Sequence, residues 1–346
     1  MHWLPARCRQ YTNPVFNIIY IERQVADHAR TREICARFPN ATRVECDRYG
    51  EVFNPKSQNF RLQKRSPSLI LAEKHKGRVL QAPDGYGLGG NRNYYFSHML
   101  NCLYDCRYCF LQGMYRSAHY VLFVNYEDFE NDMGTLLAQA DNEPCWFFSG
   151  YDCDSLAMEP VSAFVQHFMP FFSRHPQAHI ELRTKSTQIR GLLKMTPIPN
   201  AVIAFSFTPE EMYRTLEHKV PTLERRLQAM LQLQQAGWQL GLRFDPLIYQ
   251  HGYQAQYRRL FQQLFSPLDN EQLHSVSLGT FRLPRSYFRN IVQLYPDEPL
   301  FAGAFSTDNG MISYPQAVEQ EMTAFCTREL LQHIPESLLF PCTLAA

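Results

Sequence analysis

Three cysteines, Cys102, Cys106 and Cys109, stand at C-x3-C-x2-C spacing within Asn101-Cys-Leu-Tyr-Asp-Cys-Arg-Tyr-Cys-Phe110. Thiolates are soft ligands suited to zinc or to iron–sulfur clusters, and so tight a spacing predicts one loop folded around a metal. A closed structural zinc site wants four protein ligands, and no Cys or His pair at C-x2-C spacing follows nearby. Three ligands leave a coordination position open for chemistry. The competing possibilities are three unrelated buried thiols, or a zinc knuckle completed by His98 or His119. The remaining cysteines, Cys8, Cys35, Cys46, Cys145, Cys153, Cys326 and Cys342, are too sparse and irregular for a disulfide scaffold in a chain this long. Such usage points to a reducing, cytoplasmic setting.

These residues need elements to hold them. With 346 residues and 45% hydrophobic composition, the chain can bury a large core, and length alone suggests about two domains. From Asn93 onward short apolar strands alternate with helical segments. Strands are expected at 94–99, 146–150, 179–184, 201–207, 240–245 and 275–282, and helices at 126–140, 156–172, 188–195, 222–236, 255–265 and 286–294. Strands that are apolar throughout fit a parallel sheet buried on both faces. The chain therefore reads as α/β, with a partial (β/α)6 TIM-type barrel at 91–295 between an N-terminal extension, 1–90, and a C-terminal segment, 296–346. Active sites of such barrels lie at the carboxyl ends of the strands, and the cysteine loop follows the first strand.

Other strand ends also carry polar groups. The second runs out as Phe148-Ser-Gly-Tyr-Asp-Cys-Asp154, the third as Arg183-Thr-Lys185, and the fourth holds Ser206 as a lone hydroxyl in an apolar run. Asp154 could instead cap a helix starting near Ser155, and Ser206 could merely bond a backbone carbonyl. If the second strand continues past Gly150, Tyr151 and Cys153 share a face.

Before the barrel, 17–23 is a strand candidate followed by a helix through Ala36. Seven basic residues between Lys56 and Arg78 face one acid, Glu73; such a run could meet DNA phosphates or form a solvated face. Gly85-Tyr-Gly-Leu-Gly-Gly90 satisfies G-x-G-x-x-G but precedes a strand, so it reads as a loop rather than a dinucleotide fingerprint. A formal charge of +1 neither supports nor excludes nucleic acid. Residues 1–10 lack an apolar stretch, and nowhere are there 18 consecutive apolar residues, so neither a targeting signal nor a membrane span is expected.

The cysteine spacing resembles that of the radical S-adenosylmethionine enzymes, and the order of motifs resembles the spore photoproduct lyase family. The matching pieces are Ile18-Ile-Tyr-Ile-Glu22, the basic approach 56–78, Cys102 through Gln112, Leu182-Arg-Thr-Lys185, Phe205-Ser206, Pro221-x3-Arg225, and Ala236-Gly-Trp-Gln-Leu-Gly241 running into Asp245-Pro-Leu-Ile-Tyr249. The resemblance covers roughly 15–295. It implies a barrel of the radical S-adenosylmethionine type, a [4Fe-4S] cluster on Cys102, Cys106 and Cys109, and S-adenosylmethionine held near Ser149, Asp154, Lys185 and Ser206. It implies a lyase that repairs a thymine-dimer lesion in DNA, served by an electron donor such as a flavodoxin or ferredoxin. Tyr108, Tyr151 and Cys153 are the catalytic candidates. The family's hydrogen-donating cysteine falls on Tyr151, its tyrosine after the third cluster cysteine on Phe110, and its basic hairpin on 301–311, which lacks Lys and Arg. The alternatives are the same radical chemistry on another substrate, and a non-catalytic iron–sulfur or zinc protein that binds nucleic acid.

Overall fold

The computed structural model of the chain describes residues 14–53, 58–83 and 85–341. Residues 1–10, Cys8, Lys56 and Cys342 lie outside them. The larger sheet runs in the order Val79–Gln81, Arg92–Phe96, Cys145–Ser149, Ala178–Thr184, Ala201–Ser206, Gln239–Leu247, Leu273–Thr280 and Leu339–Pro341. Its six middle strands are all parallel, and they are the expected six. The largest displacement is at the first, which ends at Phe96 rather than Met99.

Alternation sorts the strand residues. On the third strand Ala178, Ile180 and Leu182 share one apolar core with Phe168 and Phe172 of the helix Phe164–Arg174. Glu181 and Arg183, alternating with them, face the interior. Trp146, Phe148 and Val202 form a separate apolar cluster with Leu88, so the strands carry apolar as well as charged side chains beside the Glu181 position.

Two helical expectations needed correction. The segment 156–172 is broken into Glu159–Ser162 and Phe164–Arg174, with Ala163 between them at φ 49°. The Glu159 carboxylate accepts the Val165 N–H at 3.1–3.2 Å and so starts the second helix. A helix at Glu210–Leu216, followed by the short strand Glu217–His218, was not anticipated.

The second sheet runs Thr42–Cys46, Ile18–Glu22, Leu69–Ala72, Tyr120–Phe123, Met99–Leu100. Its first four strands are parallel. Two of its five strands come from beyond residue 90, while Val79–Gln81 joins the barrel sheet. Both sheets therefore draw strands from each side of residue 90, and a boundary there would cut through each of them. The basic segment is likewise split. Lys64 reaches Asp105 of the cysteine loop, Lys74 lies over the Phe123 and Phe129 rings, and Arg78 forms a two-bond fork with Asp132 at 2.8 and 2.9 Å.

Candidate active site

The cysteine loop is fixed from both ends. Asn101, at φ 68°, donates through Nδ2 to the carbonyls of Ser117 and His119, each at 2.7 Å. Asp105–Cys106 pairs antiparallel with Glu217–His218, and the Arg107 N–H reaches the Leu216 carbonyl at 2.8 Å. Cys106 is buried and Cys102 and Cys109 are half-buried. Burial pushes all three thiols up, and Cys102 and Cys106 are further disfavoured as thiolates by other cysteines of the set. Opposing this, the Tyr104 N–H donates to Cys102 Sγ at 3.4 Å, the Leu111 N–H to Cys109, and the Lys185 charge acts on both Cys106 and Cys109. Three thiols on one loop, met by N–H donors and a cation, are the donor set of an anionic metal–thiolate centre, but among the described residues no three Cys, His, Asp or Glu side chains converge closely enough to hold a metal ion. The zinc-knuckle partners are engaged elsewhere. His98 stacks on Phe164 at 4.2 Å and burial lowers its pKa to about 3; His119 Nδ1 accepts the Ser68 N–H at 3.0 Å.

The second strand stops at Ser149, and Gly150, at φ 85°, turns the chain. A Cβ at Gly150 would lie 2.6 Å from Ser155 Oγ and 3.1 Å from the Cys153 carbonyl, so glycine alone fits. This turn parts Tyr151 from Cys153, against the same-face expectation. Tyr151 lies against Tyr95 at 4.5 Å and Phe110 at 5.3 Å between ring centres, which puts it beside the third cysteine. Cys153 belongs to the other core, with Met99, Met158 and Val161, its Sγ 4.0 Å from His98 Nδ1.

Ser149 and Asp154 brace the same turn. Ser149 Oγ lies 2.7 Å from Ser155 Oγ and donates to the Glu181 carbonyl at 3.1 Å. Asp154 Oδ1 accepts from the Leu156 and Ala157 N–H groups and from Thr184 Oγ1, and Oδ2 accepts from the Lys185 N–H at 2.6 Å. It caps the turn and pins the third strand end. Lys185 then directs Nζ to within 3.7 Å of Glu217 Oε1 and 5.7 Å of the Tyr108 ring centre. Tyr108 OH donates to Glu217, which also accepts from Thr208 Oγ1 at 2.9 Å and pairs with the buried Arg226 at 3.1 Å. Burial pushes the Glu217 carboxyl up, but the Lys185 and Arg226 charges and these bonds hold it below the usual range. Ser206 is buried at the end of the fourth strand, where its carbonyl accepts from Arg226 at 2.7 Å.

Sequence reasoning passed over the charges inside the barrel. Arg243, fully buried, forks onto Glu181 at 3.1 and 2.8 Å and bonds Ser275 Oγ at 2.9 Å. Above this pair Arg183 reaches Glu181 at 3.2 Å, and Arg282 reaches Asp245 at the same distance. The signal was present in Glu181-Leu-Arg183 and Arg243-Phe-Asp245, charges at period two within apolar strands. Arg243 fits because Gly241, two residues earlier on the same face, has no side chain: a Cβ there would lie 2.8 Å from the guanidinium.

A family model described as spore photoproduct lyase matches residues 91–302. The chain belongs to the spore photoproduct lyase family. Curated spore photoproduct lyases of Clostridium acetobutylicum and Bacillus subtilis are each 21% identical to it, covering 83% of this chain and 84% and 85% of their own lengths. A solved spore photoproduct lyase with bound AdoMet and dinucleoside spore photoproduct superposes with a TM-score of 0.84 at 18% identity, over 96% of this chain and 99% of that one. The fold is that of the family, a curled partial barrel. Spore photoproduct lyases are radical S-adenosylmethionine enzymes that repair the spore photoproduct lesion of DNA, and the chain is an enzyme of that class. Among the described residues no helix is long and apolar enough to cross a membrane.

Proposed function

We propose that Cys102, Cys106 and Cys109 hold a [4Fe-4S] cluster, that Lys185 and Ser206 bind S-adenosylmethionine beside it, and that the substrate is a dithymine lesion of DNA presented to the barrel mouth. When bound, the cluster and S-adenosylmethionine supply one-electron cleavage of the sulfonium to a 5′-deoxyadenosyl radical, chemistry that belongs to the cofactors. The observation that supports the reading is that the loop carrying the three cysteines lies where the Lys185 charge, at the carboxyl end of the third strand, acts on Cys106 and Cys109. Lys185 provides a cation for the cofactor's carboxylate. Glu217, Arg226 and Tyr108 keep that cation in place, while Ser149, Asp154 and Gly150 shape the turn that carries Tyr151. Tyr151, half-buried against Tyr95 and Phe110, holds a transferable hydrogen at its phenol oxygen where the family keeps a thiol. Cys153, packed into the other core, is the weaker candidate donor. A low-potential carrier of the flavodoxin or ferredoxin class supplies the electron, and the reducing setting this chemistry requires is the cytoplasm.

The test is anaerobic reconstitution followed by S-adenosylmethionine and dithionite, with 5′-deoxyadenosine measured in the presence and absence of a dinucleoside spore photoproduct. We expect cleavage by the parent chain, and loss of cluster absorbance when any one of the three cysteines is changed to Ala. Full cluster absorbance in any of those variants would overturn the ligand assignment. Cleavage without turnover of the lesion would move the substrate elsewhere.

A further inference from the structure

The outer side of the cysteine loop carries a collar of cations. Lys64 Nζ bonds Asp105 and Gln112 and reaches Tyr295 OH at 3.1 Å, and the Arg107 guanidinium lies 3.8 Å above the Tyr295 ring. Arg61 donates to the Leu294 carbonyl at the end of the helix Arg285–Leu294. Lys219, at φ 63°, is exposed directly after the strand that pairs with the loop. Lys64, Arg107 and Lys219 all act on Asp105, which is 8% exposed, so one buried carboxylate is set among three cations; Glu298 lies near Arg107. Leu62, 57% exposed, and exposed Arg65 flank Lys64 in the chain.

This face is distinct from the barrel mouth. A cleft lined by Phe60, Lys64, Cys102, Asp105, Leu111 and Lys219 runs from it to the first of the three cysteines. Tyr95, Tyr151, Arg183 and Asp245 belong to the interior and take no part in it. The loop thus presents Cys102 to this cationic outer surface, while the Lys185 charge acts on Cys106 and Cys109.

We infer that the collar around Arg61, Lys64, Arg65, Arg107 and Lys219, with Leu62 at its edge, is the docking surface for an acidic flavodoxin that delivers the electron. This rests on the reading of the three cysteines as ligands of a redox centre. One electron leaves the reduced flavodoxin, which is oxidised by that one electron, and enters the centre held by the loop. Complementary charge accelerates encounter more than it tightens the complex, and electron-transfer interfaces are small. The interaction should therefore be weak and strongly salt-dependent.

The experiment measures binding of a purified acidic flavodoxin to the full chain by titration at low and high salt. The parent is compared with the triple variant Arg61→Glu, Arg65→Glu, Lys219→Glu, and with Lys219→Glu and Arg65→Glu singly. Expected are an affinity at least tenfold weaker in the triple variant at low salt, a flattened salt dependence, and unchanged dithionite-driven cleavage of S-adenosylmethionine, since a small reductant needs no docking surface. Each single variant should show a part of the loss, which keeps the proposal open to refutation if the triple variant does not fold. Unchanged flavodoxin affinity in all variants would overturn the proposal. So would unchanged flavodoxin affinity together with a tenfold loss of affinity for duplex DNA, which would give the face to nucleic acid. Absence of dithionite-driven cleavage in the parent would instead sink the reading of the cysteines, and the binding measurement would remain interpretable.

Discussion

Arg243→Met is expected to destabilise the chain by about 3–5 kcal/mol, the usual cost of breaking a buried ion pair by removing one partner. The substitution takes five hydrogen bonds from the interior: two to Glu181, at 3.1 and 2.8 Å, two to Ser275, at 3.1 and 2.9 Å, and one to the Leu242 carbonyl at 2.9 Å. It leaves Glu181, 1% exposed, with Arg183 as its remaining cation. Burial pushes the Glu181 carboxyl up, but the Arg243 and Arg183 charges and their bonds win, bringing it from 4.5 down to about 2. That displacement corresponds to roughly 3 kcal/mol in favour of the ionised form, which agrees with the lower end of the range. Because the folded value lies below the unfolded one, this stabilisation is complete above about pH 4.5 and is lost as pH falls toward 2. The gap between parent and variant should therefore be widest near neutrality and narrow in acid. Urea unfolding followed by circular dichroism gives the midpoint and slope for each protein. The double variant Glu181→Met, Arg243→Met removes the stranded charge and should recover most of the loss. A cost below about 1 kcal/mol for Arg243→Met, or a double variant less stable than the single one, would refute the reasoning.

Lys185→Ala should weaken S-adenosylmethionine binding by about 1.5–3 kcal/mol and Ser206→Ala by about 1 kcal/mol, the difference between a charge-assisted and a neutral bond; isothermal titration that finds both unchanged moves the cofactor site. Tyr151→Phe should abolish entry of solvent deuterium into the repaired product, whereas Cys153→Ala should leave it intact; equal labelling by parent and both variants would eliminate both side chains as donors. Gly150→Ala should cost about 2–4 kcal/mol in thermal or urea unfolding, from left-handed backbone strain together with the contact onto Ser155; a loss under 1 kcal/mol would mean that the turn relaxes.

The six barrel strands were legible because each is a short apolar run between helical segments, and the three cysteines because their spacing alone confines them to one loop. Where the sequence misled, a single side chain altered the backbone. Glu159 reads as one more polar residue in a helical period, yet its carboxylate starts a new helix at Phe164 and breaks 156–172 in two. Gly150 ends the second strand one residue before Tyr151, so period-two reasoning could not hold for 151 and 153. Asp154 read equally well as a cap or as a ligand, and its four donors tie it to the turn and the third strand. The Lys185–Glu217 contact joins residues 32 positions apart, from 185 to 217, across an unanticipated helix. No local pattern encodes such a pairing.

The interleaving of the two sheets bears on how the chain can be cut and on the order in which it can fold. Tyr120–Phe123 adds to Leu69–Ala72, and Arg92–Phe96 lies between Val79–Gln81 and Cys145–Ser149. Each sheet therefore needs strands from both sides of residue 90. A fragment beginning there would expose the Tyr120–Phe123 strand as an unpaired apolar edge, a template for self-association. Pairings over such sequence separations must also wait for long loops to close, which slows folding and lengthens the exposure of those edges. The nascent chain cannot complete its first sheet until the cysteine loop has been made, so the loop is threaded between its neighbours before a metal centre can be built on it.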